Sequence, residues 1–268
     1  VTSIGESAFS RCESLTSIAI PKSVTRTGEW AFSGCKKLNS VTIPESVTSI
    51  GVGAFEGCTN FTSITIPDSV TTMGGTTIGC TVFSGCSSLT NIEVSSNNKN
   101  YSSIDGILFN KTQSLLIYYP AGKLSDNYII PDSVTGIESF AFRDCSSLTS
   151  VTVPDSVTGI YVYAFAYSNL TSITLPDSVT SIGESAFEYC HSLTSVAIPD
   201  SVTSIGYVAF YGCVSLTSVT IPDSVTSIGR YAFRSCDSLS AVTVGSGAKT
   251  ISGSAFAYCA KLYDIYIY

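Results

Sequence analysis

Basic side chains are scarce in this chain: 13 Lys and Arg stand against 20 Asp and Glu, a net charge of −7. A nucleic-acid partner needs a clustered basic surface, so that class is excluded. Only one histidine, His191, is present, which excludes multi-His metal sites by count and leaves His191 as the sole residue on which a His-dependent triad could be built. No stretch approaches the ~18–20 uninterrupted apolar residues of a membrane-spanning helix, because Ser, Thr, Pro or Gly interrupts every few positions. No Cys-x-x-Cys pair occurs, so the ten cysteines lack the usual spacing of a zinc or redox site. Charged residues make up 12% of the chain, about half the ordinary share, yet 44% are hydrophobic, which excludes disorder.

What is abundant is a repeat. Cys12, Cys35 and Cys58 lie 23 residues apart, and Cys190, Cys213, Cys236 and Cys259 keep the same period. Phe9, Phe32, Phe55, Phe83, Phe142, Phe165, Phe187, Phe210, Phe233 and Phe256 mark the same phase, nearly all preceded by Ala. A unit of this size cannot bury its own apolar side, so neighbours must stack and share one core. Within a unit, Leu193-Thr194-Ser195-Val196-Ala197-Ile198 has strand spacing and stops at Pro199, which has no amide hydrogen. Asp200-Ser201 supply turn chemistry, and Val202-Thr203-Ser204-Ile205 reads as a second short strand ended by Gly206. Ala-Phe-x-x-Cys is too short for an ordinary helix and predicts a tight 3₁₀ turn. At the ~4.8 Å spacing of paired strands, about eleven such coils would stack.

The motifs Ile198-Pro199-Asp200-Ser201-Val202-Thr203-Ser204-Ile205-Gly206 and Ala209-Phe210-Tyr211-Gly212-Cys213 resemble the BspA-like leucine-rich repeat family over almost the whole chain. That resemblance implies a β-rich solenoid, a right-handed superhelix with a parallel β-sheet on one face and the short strand and 3₁₀ turn on the other. Segment 104–121 looks like a variant coil of the same family. The resemblance further implies a non-enzymatic adhesion or protein-recognition module, extracellular or at the cell surface, with no cofactor and no catalytic residue to carry over.

The chain reads as a single solenoid over residues 1–268, interrupted in three places. Cys58 to Cys86 is five residues longer than the period, which predicts a protruding insertion loop at 75–81 carrying Cys80. An irregular variant coil is expected at 95–130, opening with the polar run Ser95-Ser96-Asn97-Asn98-Lys99-Asn100. Between Ser168, which replaces Cys, and Cys190 the spacing falls to 22, a one-residue deletion near Asn169. Val1 begins in mid-unit, so the chain is expected to be a fragment of a longer one.

Candidate chemistry is thin. One cysteine per coil makes a buried column of free thiols. His191 follows Cys190 at a position of varied composition and should face solvent, so a Cys–His dyad is not expected. Gly245-Ser246-Gly247-Ala248-Lys249-Thr250 imitates a phosphate loop but lacks the Gly before Lys. Asp132, Asp155, Asp177, Asp200 and Asp223 recur after Pro and are expected to cap their own turns, with calcium along the column as the alternative.

Two surfaces remain for a partner, an extracellular protein or glycan. The outward sheet residues include Thr42, Thr65, Thr152, Thr174 and Thr220, a flat hydroxylated face. Tyr161, Tyr163, Tyr167, Tyr189, Tyr207, Tyr211 and Tyr231 gather around the Phe turn in the C-terminal half, outside the inward ladder. Exposed Tyr offers large contact area at low entropic cost. The alternatives to adhesion are a structural spacer or self-assembling surface protein joined end to end through uncapped ends, and glycan or ice binding by the Ser/Thr array.

Overall fold

The structure, a computed structural model, describes residues 1–75 and 81–268. The expected loop at 75–81 and Cys80 therefore lie almost wholly outside the described residues. The chain is a parallel-strand β-solenoid of about eleven turns. It packs as two compact units, Val1–Leu124 with Glu138–Cys145, and Ser125–Ile137 with Ser146–Tyr268.

In the second unit the main strands Asn127–Ile129, Ser150–Thr152, Ser172–Thr174 and Ser195–Ala197 pair in parallel, serine on serine. Ser218–Ile221, Ala241–Val244 and Asp264–Ile267 continue the pattern. Ser150–Thr152, Ser172–Thr174 and Ser218–Ile221 alternate, with the Val or Ile buried and the Ser and Thr exposed, whereas Ile265 and Ile267 of the last strand are exposed. The first unit repeats this in Ser17–Ala19 with Ser40–Thr42, and in Ser63–Ile66 with Asn91–Val94. The last pairing runs Ser63 to Asn91 and Ile66 to Val94, so the strand register is kept across the five extra residues of the sequence. Likewise Ser150 pairs with Ser172 and Ser172 with Ser195, which confines the deletion to the turn near Asn169.

The core is a set of columns. In the first unit the Phe9, Phe32 and Phe55 rings stack at 5.5 and 5.4 Å, nearly parallel. In the second, Phe165, Phe187, Phe210, Phe233 and Phe256 stack at 5.0–5.3 Å. All ladder phenylalanines are fully buried or nearly so except Phe9 and Phe256, which are half-buried. Each contributes roughly 1.5–3 kcal/mol by leaving water.

The Phe turn keeps the i→i+3 hydrogen bonds of a 3₁₀ turn but not its uniform backbone; regular 3₁₀ geometry occurs at Thr81–Phe83. In the coil around Phe187, Ser185 and Tyr189 have φ of 52° and 55°, the left-handed region. The alternation turns successive amides in opposite directions. Ala186, Glu188 and Cys190 N–H groups donate within the coil, to Gly183, Ser185 and Phe187 carbonyls. Ser185, Phe187 and Tyr189 N–H groups donate to the next coil, to Tyr207, Ala209 and Tyr211 carbonyls at 2.7–2.9 Å. No amide of the segment is left over, as burial requires. The Gly ahead of the turn has a different cause: a Cβ on Gly206 would lie 2.6 Å from the Gly183 carbonyl carbon, so the backbones meet too closely for any side chain.

The expected variant coil at 95–130 departs from the parallel pattern. Tyr101–Ile104 and Ile107–Asn110 form an antiparallel hairpin, and Leu115–Tyr118 adds a third strand. Asp105 and Gly106, both at positive φ, make the two-residue turn whose twist suits a hairpin. Tyr118 then takes the ladder position, its ring 5.7 Å from Phe83 and its hydroxyl donating to the Phe83 carbonyl at 2.8 Å. Tyr119 stacks on Phe142 at 5.3 Å. Asn98 is fully buried; its amide donates to the Pro67 and Val70 carbonyls and its oxygen accepts from the Asn100 and Tyr101 amides.

Two stability outcomes follow from this packing. Phe187→Ala opens a cavity that facing coils cannot close and is expected to cost about 3–5 kcal/mol in urea denaturation. Asn98→Ala strands two carbonyls and two amides and is expected to cost about 2–4 kcal/mol, whereas Asn97→Ala beside it should change stability by less than about 0.5 kcal/mol.

Candidate functional site

A regular coil carries four side-chain donors that reach back one coil. Ser201 Oγ donates to the Val179 carbonyl at 2.7 Å, Thr203 Oγ1 to Thr180 at 3.2 Å, and Thr217 Oγ1 to Thr194 at 3.3 Å. The fourth is the cysteine, with Cys213 Sγ donating to the Phe187 carbonyl at 3.2 Å. That carbonyl already accepts the Cys190 amide, so its two lone pairs are both used. The same bond recurs for Cys35, Cys58, Cys86, Cys190, Cys236 and Cys259. The cysteine column is thus a row of hydrogen-bond donors as well as a row of small apolar groups, and every described cysteine is a free thiol.

The post-proline aspartates do not cap their own turns as expected. The turns close through backbone bonds such as Val202 N–H to the Pro199 carbonyl, and the serine hydroxyl reaches the coil before. Asp223 instead accepts the Ser246 amide at 2.6 Å in the following coil. Its carboxylate therefore occupies the apparent phosphate loop, where a phosphate would be repelled. Among the described residues, no three His, Cys, Asp or Glu side chains gather as a metal-binding set. His191 is exposed, its Nδ1 3.1 Å from the Gly212 carbonyl, while Cys190 turns inward to Phe165, so the two form no dyad.

The hydroxylated sheet face is present in both units. Thr42, Thr65, Thr152, Thr174 and Thr220 are exposed and stand apart from the ladder threonines, whose hydroxyls are spent on the preceding coil. Shallow grooves of about 290 Å³ lie over Ser40, Thr42, Ser63 and Thr65, and over Ser150, Thr152, Ser172 and Thr174. Glu45 and Asp155 stand at equivalent places on their rims.

The tyrosines divide. Tyr161, Tyr167 and Tyr207 are exposed, at 46%, 40% and 45%, and Tyr258, which the sequence places in the same phase of the turn, is 70% exposed. Tyr163, Tyr189, Tyr211 and Tyr231 are half-buried against their neighbours. Tyr189 is the hub: it meets Tyr167 at 5.0 Å, Tyr211 edge-on at 5.0 Å and His191 at 5.5 Å. The hydrogen bond with Tyr211, together with partial burial, pushes the Tyr189 phenol up to about 12. Beside this row Tyr207 meets Tyr231 at 5.9 Å, Arg230 lies 4.4 Å over Tyr231, and Arg234 lies over both Tyr231 and Tyr258 at 5.0 and 4.6 Å. Tyr207, Tyr211 and Tyr231 enclose a cavity of about 280 Å³ with Glu188, Val208 and Arg234.

Sequence reasoning placed these rings near the turn but missed their backbone. Tyr163, Tyr167, Tyr189, Tyr231 and Tyr258 all have φ between 55° and 62°, the positions that Gly34, Gly53, Gly57, Gly85 and Gly212 fill in other coils. A bulky residue in that region costs roughly 1–2 kcal/mol relative to Gly. It also missed Trp30, at φ 50° and 37% exposed, whose ring lies over Gly53 as that of Tyr189 lies over Gly212. The usable signal was an aromatic followed one coil later by glycine.

The thiol column yields a measurable contrast. Burial pushes the Cys58 and Cys190 thiols up to about 12. Their stabilising contribution is complete below the unfolded thiol value, about 8.5, and is lost as pH rises through about 12. Native protein titrated with a chromogenic disulfide reagent at pH 8 is expected to react rapidly at exposed Cys12, while Cys58, Cys145, Cys190 and Cys213 react only in denaturant; mass spectrometry of the labelled peptides checks this.

The sequence profile of the BspA type Leucine rich repeat region matches residues 2–125, 117–196 and 158–268. No curated protein sequence matches the chain. A leucine rich cell surface protein of Faecalibacterium prausnitzii is 33% identical over 98% of this chain, with a TM-score of 0.73, and the chain spans 62% of that protein's length. A leucine-rich repeat protein of Eubacterium ventriosum is 28% identical, covering 98% of this chain and 80% of its own, with a TM-score of 0.76. The pneumococcal vaccine antigen PcpA, at 23% identity, covers all of this chain and 73% of its own with a TM-score of 0.68, and shares the fold. With the repeat, the stacked coils and the profile in agreement from end to end, the chain belongs to the BspA-type leucine-rich repeat family.

Proposed function

We propose that this chain is a non-enzymatic recognition module at the cell surface that binds an extracellular protein through the tyrosine strip of its second unit. The observation that carries the reading is the left-handed backbone beneath Tyr163, Tyr167, Tyr189, Tyr231 and Tyr258. Glycine is the unstrained residue there, and Ser185, Val208, Ser235 and Ser254 take the same conformation in this unit, so the turn itself does not call for an aromatic, yet five of its positions carry tyrosine. Aromatic residues with a guanidinium on their faces are the composition of protein interfaces. A surface location is supported by the family and by the F. prausnitzii relative, a cell surface protein. No helix among the described residues is long and apolar enough to cross a membrane.

A second reading rests on the sheet. Grooves of equal volume recur over equivalent Ser and Thr pairs in both units, which favours an extended partner or a glycan that repeats along the strands.

The two are separated by substitution. Replacing exposed Tyr161, Tyr167 and Tyr207 with Ser is expected to weaken binding to a surface coated with solubilised extracellular-matrix proteins by at least about tenfold. The melting temperature should barely move, whereas changing the packed Tyr189 or Tyr211 would also lower stability. Affinity unchanged by the tyrosine substitutions but lost in Thr152→Val/Thr174→Val would transfer the role to the sheet.

A further inference from the structure

We infer that the cavity bounded by Tyr207, Tyr211, Tyr231 and Arg234 receives a carboxylate-bearing peptide segment of the partner, a reading that rests on the protein-recognition role proposed above. Arg230 and Arg234 carry it. Most of the 13 basic residues of the chain stand apart from carboxylates, and what sets these two apart is where their guanidiniums lie. Among the described residues neither of these two is paired with a carboxylate; the ion pairs are Lys36–Glu13 and Arg143–Asp144, both in the first unit. Both arginines are instead laid on aromatic rings, and Arg230 also donates to the Tyr231 hydroxyl. Stacking of this kind fixes the plane of the guanidinium while leaving its edge donors open, which is the arrangement that accepts a carboxylate through two parallel hydrogen bonds.

The geometry favours a peptide over a sugar. A pyranose needs an open, flat ring to lie on. Here the faces of Tyr231 are taken by Arg230 and Arg234, Tyr211 stands at 81° to Tyr189, and Tyr207 is inclined at 60° to Tyr231. What this open hollow of about 280 Å³ presents is ring edges, hydroxyls, the Val208 side chain, the Glu188 carboxylate and one guanidinium, that of Arg234. Because the chain as a whole is acidic, long-range attraction does not assist; the contact depends on close pairing at the two arginines.

Fluorescence anisotropy tests this with a fluorescein-labelled Glu-Phe repeat peptide, its Gln-Phe counterpart, and polygalacturonate as the carboxylated glycan. The wild-type chain is expected to bind the Glu-Phe peptide saturably, and at least about tenfold more weakly in the Gln-Phe form. Arg230→Gln/Arg234→Gln should lose at least about tenfold with an unchanged melting curve, and Arg230→Lys/Arg234→Lys should recover only part, since an ammonium lacks the planar fork. Absence of saturable binding, equal affinity for the two peptides, equal affinity of the double Gln variant, or tighter binding of polygalacturonate each overturns the inference. Matrix-protein binding that is lost with the tyrosine substitutions but unaffected by the arginine substitutions also overturns it, and leaves the recognition surface itself standing.

Discussion

The structure depends on one constraint: each coil must satisfy its backbone against the coil above and the coil below within about 5 Å. The strands do so by parallel pairing. The remainder of the coil, which is not strand, does so by other means. Left-handed residues flanking the phenylalanine send alternate amides up the stack, serine hydroxyls cover carbonyls such as that of Val179, and threonine and cysteine side chains add a second donor to carbonyls that already accept an amide. A repeat this rich in hydroxyls is therefore a hydrogen-bonding frame, and the aromatic column is what fills it.

The same constraint explains where variation is tolerated. Five residues are added between Ile66 and Asn91 and one is removed near Asn169, yet strand partners on either side stay in register. Each coil contacts only its neighbours, so a change in loop length is absorbed locally. The antiparallel hairpins at 101–118 are a larger departure, and there the chain keeps the column by other residues: Tyr118 stacks beside Phe83, and its hydroxyl finds the Phe83 carbonyl that a cysteine thiol would otherwise reach.

Function sits on what the frame leaves over. In the second unit that surplus is a band of tyrosines held at backbone positions that would suit glycine, with two guanidiniums laid across them. In the first unit the corresponding positions carry Gly34, Gly53, Gly57 and Gly85, the polar Ser7, Arg11 and Asp144, and the aromatic Trp30 and Phe140, so the tyrosine surface is a property of particular coils and not of the repeat. The sheet face, by contrast, repeats one Ser and Thr pair in five coils, at Ser40 and Thr42, Ser63 and Thr65, Ser150 and Thr152, Ser172 and Thr174, and Ser218 and Thr220. A repeated surface offers regular spacing, and a varied one offers selectivity.

The sequence alone determined the repeat, the strand and turn order, the phenylalanine and cysteine columns and the outward sheet threonines, because all of these follow from periodicity and each recurs often enough to be read without its neighbours. Tertiary structure decided the rest: that Asn98 and not Asn97 is buried, that Asp223 serves the following coil, that the ladder threonines are occupied while those of the sheet are not, and that Tyr189 packs where Tyr207 is exposed. In every one of these cases the role of a residue is set by the atom facing it from the adjacent coil, some 23 positions away, and a side chain's own identity carries no record of that partner.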